Sequence, residues 1–174
     1  MLSMDEQTAL LTVTGERRGA FRDHIILSLA LGTGLREHEL VALDLGDIAD
    51  DLGKIRRRVH LKVFKRSAKE PPPQEVLLSE TIRTKLSRFL VWKKSHGQDT
   101  APDAPLFVSR KGNRLSTRQL RHLFAIWQER AGFEQPYPFH AIRHYADSQI
   151  MPTRSTPGLI TCGVIRRLPL VNSA

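Results

Sequence analysis

Three stretches hold residue types that can do chemistry together. The first is Thr33-Gly34-Leu35-Arg36-Glu37-His38-Glu39-Leu40. Glycine there permits a tight turn with positive φ. Arg36 then falls at the start of a helix, where free N–H groups and the positive dipole end favour an anion such as phosphate. Glu39, three residues on, shares a helix face with Arg36 and can hold its guanidinium. An ordinary capped helix with a surface Arg–Glu pair would show the same pattern. The second stretch is His140-Ala141-Ile142-Arg143-His144. On a helix, His140 and Arg143 are neighbours and can aim at one ligand. His140 and His144 at i, i+4 also suit zinc, but no glutamate follows the first histidine and no third ligand is evident, so no metal is expected. A plain helix with one buried histidine is the alternative. The third is a run of cations, Lys62, Lys65, Arg66 and Lys69. It reads either as a solvated charged turn or as a lysine carried to a phosphodiester.

The elements that must position these groups follow from capping and periodicity. Ser3 and Glu6 form an S-x-x-E capping box, opening a helix to about Thr14 that Gly15 ends. A second helix runs from about 19 to 31, with Phe21, Ile25 and Leu29 inward and Ile26 beside them, until Gly32-Thr33-Gly34 breaks it. A third spans about 35–43. Residues 55–64 read as a strand with Val59, Leu61 and Val63 on one face. Pro71-Pro72-Pro73 cannot sit in a central strand, and Gln74 to Leu78 reads as the return, giving a hairpin with a long basic tip. Ser79 or Glu80 caps a helix to about Ser95, with Ile82, Leu86, Phe89 and Leu90 inward. A polar loop from Gly97 to Pro105 leads to a short extended Leu106-Phe107-Val108. Ser116 caps a helix to Ala131, Pro136-Tyr137-Pro138 enforces extended backbone, and residues 140–150 read as helical. The expected fold is mainly α with a small antiparallel β-sheet. Beyond Met151, prolines and glycines interrupt every period, so residues 1–150 read as one domain and 151–174 as an irregular tail.

Composition narrows the partners. The chain has 27 Lys+Arg against 18 Asp+Glu, a net charge of +9, which points to a polyanion, with nucleic acid first. A single cysteine, Cys162, makes no internal disulfide and fits a reducing compartment, so the cytoplasm is expected. The longest apolar stretch, Ile25 to Leu31, is far too short to span a bilayer, and no membrane partner is expected.

Taken together, an early T-G-L-R-x-x-E-L, a lysine-bearing hairpin about 30 residues later and a late H-x-x-R-H resemble the catalytic domain of the tyrosine recombinase (phage integrase) family. Leu43-x-x-x-Asp47-Ile48, Leu106-Phe107 and Pro138-x-His140 fit the same pattern, over about residues 3–150. The resemblance implies a DNA-breaking and rejoining catalytic-domain fold, double-stranded DNA as partner, and no cofactor. It implies that Arg36 and Arg143 clamp the scissile phosphate, and that His140 hydrogen-bonds it and supports proton transfer. Lys65, with Lys69 as second choice, protonates the departing 5′-oxygen. Lys62 and Arg66 join them as DNA contacts. Glu39 orients Arg36, and His144 is structural.

The family pattern also has a nucleophilic tyrosine on a helix after H-x-x-R. Here the two tyrosines are Tyr137 and Tyr145, both flanking the motif. Tyr145 lies two residues beyond Arg143 and so projects from a different helix face. The nucleophile is therefore unassigned, and the reading is of a domain cut short before it, which binds DNA without cleaving it alone. Uncovered apolar surface would then favour self-association or a full-length recombinase as partner. A tyrosine supplied in trans, a non-catalytic regulatory remnant and a type IB topoisomerase are the other readings.

Overall fold

The structure is a computed structural model, and it describes residues 2–17, 19–61 and 74–142. It is mainly helical with a two-stranded antiparallel sheet, in the order α1 (Met4–Glu16), α2 (Phe21–Thr33), α3 (Glu37–Ala42), α4 (Leu45–Ile48), β1 (Arg58–Leu61), β2 (Gln74–Leu77), α5 (Glu80–Ser95), α6 (Thr117–Arg130) and a closing 3-10 turn at Phe139–Ile142. The expected tail 151–174 lies outside the described residues, as do Val63 and the basic hairpin tip.

Local chemistry starts most of these helices. Ser3 accepts from Glu6 N–H at 3.2 Å while Glu6 accepts from Ser3 N–H at 2.7 Å, closing the capping box. Ser116 and Gln119 repeat the arrangement at α6, and Ser79 accepts from Ile82 N–H at α5. Asp47 accepts from Asp44 N–H at 2.8 Å, which closes the single turn of α4, an element the sequence pattern did not predict.

Two glycines act differently from expectation. Gly15 does not end α1, which continues to Glu16; a side chain there would meet the His24 ring at 3.5 Å. Gly32 lies inside α2, where a Cβ would come within 2.8 Å of Ile82 on α5. The helix ends instead at Gly34, whose φ of 62° is the left-handed cap and whose N–H bonds Ala30 O.

The core forms where α2 lies between α1 and α5, with α6 against α1 and α3. Leu10, Ile26, Leu27, Leu86 and Leu120 are fully buried in it. Phe89 stacks on Trp92 at 5.5 Å and meets Phe21 edge-on at 6.0 Å, joining α5 to the start of α2. In the sheet, Val59, Leu61 and Val76 face inward as the alternation predicts, and Glu75 pairs with His60 at 3.1 Å on the outer face.

Polar side chains are also built into this interior. Lys93, with 0% exposure, donates to Gln98 Oε1 and to the carbonyls of Pro105 and Leu106 at 3.1–3.2 Å, tying α5 to the loop before α6. Between α1, α2 and α5, the Thr14 hydroxyl donates to Leu10 O, so its oxygen takes the His24 Nδ1 proton at 3.0 Å. That leaves His24 Nε2 to accept from Lys85 Nζ at 3.1 Å, and Lys85 also donates to Ser28. Burial and the neighbouring ammonium hold the His24 pKa below the ordinary 6.5.

Lys93→Ala leaves two carbonyls without their donor and opens a cavity, an expected loss of about 2–4 kcal/mol in urea unfolding. A loss under about 0.5 kcal/mol would show those bonds to be dispensable. The unfolded chain takes up a proton at His24 near pH 6.5 while the folded chain resists it, so below that pH the unfolded state binds more protons. The melting temperature is therefore expected to fall as the pH drops below 6.5, and to fall less in His24→Gln. Parallel curves for the two proteins would remove His24 as the cause.

Candidate phosphate-binding site

The turn carrying Arg36 is fixed before α3 begins. The Thr33 hydroxyl donates to Leu29 O at 2.6 Å, Gly34 reverses the chain, and Leu35 is buried. Arg36 itself is the residue flanking α3, with extended backbone at φ −70° and ψ 155°. Its N–H donates to Glu39 Oε2 at 2.7 Å, and its Nη1 donates to Glu39 Oε1 at 3.1 Å. Glu39 is 5% exposed and the Arg36 side chain 40%. One carboxylate thus caps the helix and aims the guanidinium, whose remaining donors face outward with no protein partner among the described residues. The Arg36–Glu39 contact expected from their i, i+3 spacing is present, as it would also be in an ordinary capped helix.

The Arg36 segment is held by α6 and the residues just before it. Arg121 donates to Glu37, the residue after Arg36, at 2.6–2.7 Å, and that bond raises the Arg121 pKa further. Arg114 pairs with Asp44 and donates to Val41 O at 3.1 Å, closing the other end of α3. The His140 segment is held by the same helix. Phe139 meets Phe124 edge-on at 5.3 Å. Gln128 accepts from Tyr137 N–H at 2.6 Å and donates to Tyr137 O at 3.0 Å. Pro138 O then takes Ala141 N–H at 2.9 Å, forming the 3-10 turn that presents an exposed His140. Arg121, Phe124 and Gln128 stand at i, i+3 and i+7, one face of α6. The Arg36 turn and the His140 turn therefore ride on the same helix face, anchored within about 10 Å of axial rise.

Arg114, Arg121 and Gln128 escaped the sequence reading. The signal for Gln128 was an amide four residues after Phe124 on the inward stripe of an amphipathic helix. The ion pairs had none, because their partners lie 70 and 84 residues away. Arg143, His144, Lys62, Lys65, Arg66, Lys69 and Tyr145 lie outside the described residues. Tyr137 is described, and the Glu6 carboxylate beside its hydroxyl raises its pKa, the opposite of what a nucleophile needs. Among the described residues no group of three or more His, Cys, Asp or Glu is placed to hold a metal. None of the described helices is long and apolar enough to cross a membrane.

The pattern characteristic of the phage integrase family matches residues 1–154, a span that takes in every candidate site residue. The chain belongs to the phage integrase family. Among the relatives of this phage integrase chain, the tyrosine recombinase XerC of Vibrio cholerae is 32% identical over 143 residues, covering 82% of this chain and 42% of that protein. XerC of Shewanella is 31% identical, covering 82% and 44%. The crystal structure of XerA recombinase superposes with a TM-score of 0.66 at 28% identity, over 84% of this chain and 49% of that one. The XerH recombinase bound to its palindromic difH substrate, at 19% identity and a TM-score of 0.63, shares the fold. The chain spans less than half the length of these relatives.

Glu39→Ala removes both bonds to Arg36, and urea unfolding is expected to show a loss of about 1–2 kcal/mol. Glu39→Gln keeps an acceptor for the Arg36 N–H and is expected to lose less than half of that. Equal losses in the two variants would assign the effect to the ion pair and not to the helix cap.

Proposed function

We propose that this chain is the DNA-binding, catalytic-type domain of a site-specific recombinase, in which Arg36 and Arg143 grip one backbone phosphate beside His140. The observation that supports it most is the placement of the Glu39-held Arg36 turn and the exposed His140 turn on one face of α6. Arg143 follows three residues after His140. Attack on a phosphodiester concentrates negative charge on the non-bridging oxygens. Guanidinium forks bind those oxygens bidentately and keep their protons at any working pH. His140 donates a further hydrogen bond and supports proton transfer to or from the reacting oxygen. Lys65 on the hairpin, with Lys69 as the alternative, protonates the departing 5′-oxygen, because an ammonium can release its proton. His144 stays structural, and Lys62 and Arg66 meet neighbouring phosphates.

Covalent strand exchange also needs a nucleophile that stores the bond energy for rejoining. No tyrosine follows Tyr145 in these 174 residues, and the Glu6 carboxylate raises the Tyr137 pKa. In this reading the chain binds duplex DNA and makes no covalent adduct by itself. A tyrosine from a full-length recombinase would complete it.

Fluorescence anisotropy with a duplex of about 20 base pairs tests this, and affinity is expected to fall steeply with salt. Arg36→Ala and Arg143→Ala are each expected to weaken binding about ten-fold. No binding at low salt would sink the proposal. A nicked suicide duplex is expected to trap no protein unless an arginine-dead, tyrosine-intact recombinase is added. An adduct formed by this chain alone would refute the missing nucleophile.

A further inference from the structure

Between the start of α2, the turn after Val108 and one face of α6 lies an open cleft of about 650 Å³. Its floor is apolar, made by Leu115, Leu123, Ile126 and the Trp127 ring. Its rim is cationic, made by Arg17, Arg110, Lys111 and Arg130, the last lying over the Trp127 ring at 5.0 Å. The one carboxylate in the lining, Asp23, is already engaged by Arg22 at 2.7 Å and by Trp127 Nε1 at 3.0 Å. Among the described residues none of the four rim cations has an ion pair.

The cleft is preformed. Arg22 donates to Val108 O at 2.9 Å, which fixes the turn to α2, while the Trp127–Asp23 bond fixes α6 to α2. The turn itself is closed by Gly112 N–H to Ser109 O at 3.0 Å, with Gly112 at φ 81°. Arg110 and Lys111 occupy its two central positions and so project together over the opening. On α6, Gln119, Leu123, Ile126 and Arg130 form the row that faces the cleft. At 3.6 residues per turn this row is about half a turn from Arg121, which holds the Arg36 segment. The cleft therefore lies on the opposite side of α6 from the site proposed above.

We propose that this cleft is a docking site for an acidic polypeptide segment carrying one or two bulky apolar side chains. Charge complementarity sets the sign of the partner, since four cations surround the opening with no carboxylate left to answer them. Shape and floor set its class. A duplex backbone is a broad convex surface that meets cations at solvent level and gains nothing from an apolar floor. A narrow concavity with apolar residues beneath charged ones suits a side chain anchored below and carboxylates above. A partner seated there would leave the Arg36 face open, so both can be bound at once.

Panning a phage-displayed library of short random peptides against the full chain tests this. Enriched sequences are expected to combine Asp or Glu with Leu, Ile, Phe, Met or Trp. As synthetic peptides they are expected to bind at least about ten-fold more weakly to the Arg110→Glu, Lys111→Glu double variant, both of whose sites are exposed, and to Ile126→Asp. Saturating duplex DNA is expected to leave that binding unchanged. Three results would overturn the proposal: no enrichment over a blank surface, enriched peptides that bind the variants as well as the wild type, or peptides that duplex DNA displaces. The last, joined to a loss of DNA affinity in the double variant, would make the cleft a nucleic-acid surface.

Discussion

Among the described residues, the Arg36 turn and the His140 turn are both held by one face of α6. Three side chains on that face, of three different types, do the positioning. Arg121 uses charge to hold Glu37. Phe124 uses an edge-on ring contact to hold Phe139. Gln128 uses both ends of its amide to hold the backbone of Tyr137. None of them needs to touch a ligand. Their common effect is that two segments about a hundred residues apart in the chain are registered against the same rigid rod. A helix suits this task because its side-chain spacing is set by the backbone and not by flexible loops.

The interior supports that arrangement with a mixture of apolar packing and satisfied polar groups. Buried polar atoms are costly unless paired, and no buried side-chain nitrogen or oxygen among the described residues lacks a partner. Lys93 illustrates why. Its long stem fills space beside Phe89, and its head supplies donors to carbonyls that a loop cannot satisfy for itself. The His24 cluster is less robust, since its hydrogen-bond directions hold together only while the imidazole is neutral.

Much of the fold was legible because it is written locally. Ser3, Ser79 and Ser116 each announce a helix start through bonds that span three residues, and the alternation of Val59 and Leu61 gives the inner face of the sheet. The Arg36–Glu39 pair was legible for the same reason. Misread features were those in which distant packing overrides local preference. Gly15 and Gly32 look like stops, yet both lie in helices, and at Gly32 the close-lying Ile82 side chain favours a residue without a Cβ. The short α4 was missed because a single turn carries no period. Most of the site's scaffolding was also hidden, since Arg114 and Arg121 are ordinary surface arginines until the fold brings Asp44 and Glu37 to them.

The close approach at Gly32 carries a consequence for how this sequence can drift. A methyl group there would come within 2.8 Å of the end of the Ile82 side chain, so Ile82 would have to turn away or α2 and α5 would have to part slightly. Because α2 runs directly into the Gly34 turn, any shift of the helix that Ile82 does not absorb would reach Arg36 within about one helical turn. A position with no chemistry of its own is thus linked to the Arg36 turn through the packing of two helices. Trimming Ile82 would relieve a substitution at Gly32, so the effects of changes at these two sites are coupled and not additive.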